Sequence, residues 1–188
     1  MAEILLFHHA HGRTPGFLGF AEQLREAGHT VHTPDLYDGR IFEDLNAGVA
    51  FAQQAGFLEI IARGAAAARD LPAGVVYAGF SLGALPAQAL AQTRPGAAGA
   101  LLFHGGEPAS EFGGPWPAGV PLEMHVMQDD PWVELRVCQD LAEQAQPSEL
   151  FVYPGSGHLF ADPGSPDFDP TLARLLMDRT LAFLRRVA

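Results

Sequence analysis

Short apolar runs alternate along this chain with longer stretches of helical period. The runs lie at 4–9, 30–35, 74–80, 99–104, 122–128 and 149–153. Each has strand length and is bounded by Gly, Pro or Asp, residues that interrupt regular structure. Between them, GFLGFAEQLREAG (16–28), a stretch over 43–70, LGALPAQALAQTR (82–94) and VELRVCQDLAEQAQ (133–146) repeat apolar positions at helical spacing. TLARLLMDRTLAFLRRVA closes the chain as a last helix, whose Leu172, Leu175, Leu176, Leu181 and Leu184 form the side expected to face inward. Strands that alternate with helices predict an α/β fold with a mostly parallel central sheet and helices on both faces. The length of 188 residues fits one domain over 1–188. In such a sheet ligands bind beyond the carboxyl ends of the strands, so residues just past a strand carry the functional weight.

Composition narrows the partners. The net charge is -11 and every cation is arginine, so phosphate backbones and anionic lipid surfaces are repelled and nucleic acid is not an expected partner. No apolar stretch reaches the ~20 residues of a membrane-spanning helix. The start, MAEILLFHHAHG, lacks the basic and apolar regions of a secretory signal. Cys138 is the single cysteine, which rules out an intramolecular disulfide and is expected to be a small buried apolar residue. A reducing cytoplasm is the expected location. The oligomeric state is not encoded in these patterns.

The chemistry centres on VVYAGFSLGA. Gly79-Phe80-Ser81-Leu82-Gly83 is a G-x-S-x-G sequence between an apolar strand and a helix. At such a junction the turn is so tight that small flanking residues are required, and the serine hydroxyl is pushed into the open. The helix that follows directs its first amides at developing negative charge, making the Leu82 N–H a candidate oxyanion donor. Serine attacks at neutral pH only if a base takes its proton. Of eight histidines, His158 follows a strand through a flexible Gly-Ser-Gly loop in YPGSGHLF. His104 and His125 fall inside predicted strands, where a hydrogen-bonded core role is expected, and His29 and His32 flank a strand entry. The acid that orients the base is expected after another strand, where LEMHVMQDDPWVEL offers Asp129 or Asp130. Ser, Asp and His, each just past a strand, then follow the chain order of an α/β-hydrolase. The Pro/Gly-rich loops 105–121 and 162–170 are expected to border the site.

Over nearly its whole length the chain resembles the dienelactone hydrolase family, through HHAHGRTPGF, TPDLYDG, GFSLGA, MQDDPWV, YPGSGHLF and DRTLAFL. The resemblance implies the α/β-hydrolase fold, and Asp130 as the acid, since the family's acid is followed by an apolar residue and then Val, here Trp132 and Val133. It also implies a second oxyanion amide after the first strand, on Ala10. Two positions depart from the family. Many members carry a cysteine at the elbow and a glutamate after the first strand, where this chain has Ser81 and His9. Dienelactone-cleaving members place an arginine four residues after the catalytic histidine, where this chain has Asp162. Serine chemistry is therefore expected, with a substrate carboxylate meeting like charge at Asp162 unless Arg13 or Arg40 enters the site.

The expected reaction is hydrolysis of a small-molecule acyl substrate, an ester, lactone or thioester, with no cofactor. Acyl transfer by the same residues, or a silent member that only binds a ligand or partner, are the alternatives. His8, His9 and His11 cluster in sequence but lack a metal-binding motif, so no metal is expected and His9 is read as lining the mouth of the site. Trp132, and with it Trp116, is a candidate wall of an apolar pocket.

Overall fold

A computed structural model describes residues 1–188. Six strands, β1 (Glu3–Phe7), β2 (Thr30–His32), β3 (Val75–Phe80), β4 (Gly99–Phe103), β5 (Leu122–Met127) and β6 (Ser148–Tyr153), form one sheet in the order β2-β1-β3-β4-β5-β6. Every pairing is parallel. The helices are α1 (Pro15–Glu26), α2 (Leu45–Ala55), α3 (Phe57–Ala67), α4 (Ala84–Thr93), α5 (Leu135–Gln144) and α6 (Pro170–Val187). None is long and apolar enough to cross a membrane.

The strands look uniformly apolar because both faces of the sheet are covered, as parallel sheets require. Along β3, Val75 and Tyr77 enter one core with Ile60 of α3, Leu90 of α4 and Leu141 of α5. Val76, Ala78 and Phe80 enter the other, with Phe17 and Leu24 of α1 and Leu176 and Phe183 of α6. Each such buried leucine or phenylalanine contributes about 1.5–3 kcal/mol over its exposed state. The chain begins at β1, moves to β2 on one side, then crosses to β3 on the other, so the order reverses between β1 and β3. Register pairs Phe7 with Gly79. Ala10 and Leu82 follow these two strand ends, at the reversal point where such sheets bind ligands.

Four expectations about the elements need correction. The stretch over 43–70 is two helices, broken at Gly56, whose φ of 93° is unfavourable for residues bearing a Cβ. The second strand ends at His32 rather than at 35, because Pro34 has no N–H for the ladder. The first ends at Phe7, which places His8 and His9 beyond it. Leu175 of α6 is 39% exposed and faces away from the core, while Met177, Thr180 and Phe183 take inward positions.

Candidate active site

The turn after β3 explains why two glycines flank Ser81. A Cβ on Gly79 would lie 2.0 Å from the Gly83 carbonyl oxygen, and one on Gly83 would lie 2.4 Å from the Phe7 oxygen. Only glycine permits both the tight elbow and its approach to β1. Ser81 itself has φ 51°, a left-handed conformation that costs a non-glycine residue about 1–3 kcal/mol and persists only where the surroundings impose it. A 3₁₀ turn, Ser81–Gly83, leads into α4.

Held in this way, the Ser81 hydroxyl donates to His158 Nε2 at 2.7 Å. His158 Nδ1 donates to Asp130 Oδ2, also at 2.7 Å. The carboxylate only accepts, so it fixes the proton on Nδ1 and leaves Nε2 free to receive one. Asp130 is 5% exposed, and its other oxygen accepts from the Trp132 N–H at 2.9 Å. The loop bearing His158 is anchored where Asp167 accepts the His158 N–H at 3.1 Å. Asp129 is exposed and points no carboxylate oxygen at His158.

The loop after β1 is fixed by its histidines. His9 O accepts from Gly12 N–H at 3.0 Å and from His8 Nδ1 at 2.8 Å. In a trans peptide the C=O and N–H point in opposite directions, so pinning the His9 carbonyl fixes the direction of the Ala10 N–H. His8 Nε2 accepts from Leu36 N–H at 3.0 Å, which requires a neutral ring with its proton on Nδ1. Burial lowers the His8 pKa to about 4 and keeps it so. Ala10 and Leu82 both line the cavity that holds Ser81 and His158.

His9 does not line the mouth of this cavity; it is fully buried. Its Nδ1 accepts from His11 N–H at 3.3 Å, and its Nε2 donates to Asp162 Oδ2 at 2.6 Å. Asp162 is 3% exposed and also accepts from Thr14 Oγ1 at 3.2 Å and from Gly164 N–H at 2.7 Å. Burial alone would raise the Asp162 pKa, but the hydrogen bond from His9 and the other donors hold it below its usual value. Burial lowers the His9 pKa against the pull of Asp162, so the pair is a neutral imidazole on a carboxylate. The two positions at which the chain departs from the pattern it resembles thus meet each other. They join the loop carrying Ala10 to the segment after His158, and Asp162 does not face the cavity.

The cavity has a volume of about 590 Å³. Phe57, Leu58 and Ile61 of α3, Leu85 of α4 and Val137 of α5 form apolar walls. Trp132 lines it as expected, 46% exposed, with its ring 6.0 Å from that of His158. Trp116 does not; it is buried and donates to the Val120 carbonyl at 2.7 Å. Loop 105–121 borders the cavity through Gly105, Gly106, Glu107, Glu111 and Phe112, and Glu134 lies across from it before α5. Neither Arg13 nor Arg40 lines it; Arg40 sits over Phe51, 5.2 Å from the ring centroid.

Pattern alone missed two residues here. His104 lies one residue past β4 with φ 62°, lines the cavity, and has no hydrogen-bond partner at either ring nitrogen. The expected hydrogen-bonded core histidine is His125 alone, which bonds Tyr153 Oη and Glu123. Gln88, fully buried in α4, accepts from the Glu107 N–H at 2.9 Å and donates to the Glu107 carbonyl at 2.8 Å. The available signal was a pair of glutamines, Gln88 and Gln92, four residues apart in an otherwise alanine- and leucine-rich helix. Cys138 is buried, and burial pushes its thiol up to about 12, far from a reactive thiolate. The rings of His8, His9 and His11 bond different groups, His11 the Phe42 carbonyl at 2.7 Å. No three groups of metal-ligand type converge.

Comparison with known proteins places the fold and the family. A search of curated proteins returned no match. Solved structures of similar fold include a dienelactone hydrolase-like promiscuous phosphotriesterase from metagenomic libraries. It is 20% identical with a TM-score of 0.75 over 100% of this chain and 87% of the other. A dienelactone hydrolase from Anabaena variabilis is 20% identical with a TM-score of 0.71, over 99% and 86%. A cold-adapted esterase from an Arctic intertidal metagenomic library is 19% identical with a TM-score of 0.70, over 98% and 82%. These likenesses establish the α/β-hydrolase fold. The model of the dienelactone hydrolase family matches residues 2–188, from the first strand through the elbow to the last helix, and the chain belongs to that family.

Proposed function

We propose that this protein is a serine hydrolase that cleaves a small ester, lactone or thioester, with Ser81 as nucleophile, His158 as general base and acid, and Asp130 as orienting carboxylate. The observation that carries this reading is the continuous relay from the Ser81 hydroxyl through His158 to buried Asp130, with two 2.7 Å hydrogen bonds, opening on an apolar cavity. Relatives described as an esterase and as a phosphotriesterase share the fold and agree with ester cleavage.

Ser81 Oγ attacks the acyl carbon as His158 Nε2 takes its proton, and the carbonyl oxygen becomes an oxyanion beside the Leu82 and Ala10 amides. Loss of one such donor typically costs about 2.7–4 kcal/mol of transition-state stabilisation. Collapse of the intermediate breaks the acyl–oxygen or acyl–sulfur bond, and His158 returns the proton to the leaving group. Water then attacks the acyl-serine, giving its proton to His158, which passes it back to Ser81 Oγ as the acid leaves. Asp130 holds the imidazole in the required tautomer and offsets the charge it gains. No step draws on Cys138.

A panel of short acyl esters, lactones and thioesters tests the reading. Turnover by the natural sequence and none by a folded Ser81→Ala variant is expected. Undiminished turnover in that variant would overturn it. Product formation in the presence of an added alcohol separates hydrolysis from acyl transfer.

A further inference from the structure

The cavity around Ser81 is rich in acceptors and holds no cationic side chain. Glu107, Glu111 and Glu134 all line it, and no arginine does. Four arginines, Arg25, Arg63, Arg136 and Arg186, pair with carboxylates elsewhere: Glu22, Asp38, Glu59, Asp140, Glu123 and Glu149. Glu107 is placed deliberately by local structure, since buried Gln88 bonds both its N–H and its carbonyl. Partial desolvation, followed by the charges of Glu111 and Glu134, raises the Glu107 pKa. The three carboxylates therefore repel one another with nothing to neutralise them.

A second, independent feature points to a polar ligand in the same cavity. His104, 1% exposed, lines this cavity with neither ring nitrogen bonded. A neutral imidazole carries one N–H and one lone pair, so a buried donor and a buried acceptor beside the cavity both lack partners, which a polar ligand group can supply. The carboxylates do not converge as metal ligands, which leaves a diffuse negative field suited to an organic cation. Trp132 adds an exposed aromatic face beside His158, the kind of surface that attracts ammonium groups.

Resting on the hydrolase reading, we propose that the substrate is a cationic ester, one whose acyl or alcohol part carries an ammonium group that sits among Glu107, Glu111 and Glu134. A carboxylate at the same place meets three like charges. This replaces Asp162, buried against His9, as the source of selectivity against anions.

The test is kcat/KM for three butyrate esters of similar size: choline, its neutral isostere 3,3-dimethylbutanol, and 4-hydroxybutyrate. The measurement is made at pH 8, at low and at high salt. The choline ester is expected to exceed the neutral one by roughly tenfold or more at low salt, because three carboxylates need together supply only about 1.4 kcal/mol for that factor. The anionic ester is expected to fall below the neutral one, and both ratios are expected to shrink toward one at high salt. In the combined Glu107→Gln, Glu111→Gln, Glu134→Gln variant the choline-to-neutral ratio is expected to approach one. A wild-type ratio at or below one, or a ratio independent of salt, overturns the proposal even if that variant fails to fold. A high ratio that survives in the folded variant overturns the assignment to these residues. Ester cleavage that survives in a folded Ser81→Ala variant would instead refute the hydrolase reading itself.

Discussion

Replacing Asp162 by asparagine changes one buried oxygen to an amide nitrogen at the point where two loops of the site are joined. In the native protein Oδ2 accepts from His9 Nε2 and Thr14 Oγ1, while Oδ1 accepts from the Gly164 N–H. Asparagine has one acceptor oxygen, so its NH₂ must face either His9 and Thr14 or Gly164, and a buried donor loses its partner. An unsatisfied buried donor costs about 1–3 kcal/mol, and loss of the charged acceptor weakens the remaining bonds, for a total of about 2–4 kcal/mol. With a urea m-value of about 2 kcal/mol/M, the midpoint is expected to fall by about 1–2 M. Asp162→Ala, which strands all three donors, should cost about 3–5 kcal/mol. A double-mutant cycle of Asp162→Asn with His9→Phe should show a coupling of about 1–3 kcal/mol. Rapid-mixing kinetics on an ester should show kcat falling with stability, because the same contact ties the Ala10 loop to the His158 segment. An Asp162→Asn midpoint unchanged from the natural protein would refute this reasoning.

Other substitutions test the remaining parts. Asp130→Asn should lower kcat by about four orders of magnitude, the loss that the same exchange produces in the serine protease triad; exposed Asp129, changed in the same way, should leave ester turnover essentially intact. Gly79→Ala should destabilise the fold by about 3 kcal/mol or more in urea titration, because its Cβ would meet the Gly83 oxygen at 2.0 Å. Acid should unfold the protein partly through His8, whose pKa falls from 6.5 in the unfolded chain to about 4 when folded. The unfolded state then binds the extra proton, so this contribution is complete above pH 6.5 and is lost as pH falls toward 4, a loss of about 3 kcal/mol. His8→Asn should give a shallower dependence of unfolding free energy on pH across that interval.

The parts of the site that were legible in the sequence are those whose residue types have a local steric reason. Gly79 and Gly83 are needed by the turn itself, so the elbow stands out without any knowledge of its surroundings. The strands were visible because both sheet faces are buried, which makes VVYAGF apolar at every position. The helix break at Gly56 was hidden because the apolar period continues across it, and only φ distinguishes a tolerated glycine from a hinge. His8, His9 and His11 read as a cluster because they are close in sequence, and they do stay close, but their rings reach for different groups: the Leu36 N–H, Asp162 and the Phe42 carbonyl. The His9–Asp162 bond joins positions 153 residues apart, and nothing local announces it. His104 misled for the opposite reason: the strand stops one residue short of it, turning a core position into a cavity position.

The most direct measurement is the site of acylation. A slowly deacylated p-nitrophenyl ester, quenched within the first turnover and analysed by mass spectrometry after proteolysis, should leave its acyl group on the peptide containing Ser81. Fragmentation should place it on the Ser81 side chain, and Ser81→Ala should abolish both the adduct and the burst of p-nitrophenol. An acyl group found on another residue, or sustained turnover by the folded Ser81→Ala protein, would contradict the assignment of Ser81 as nucleophile.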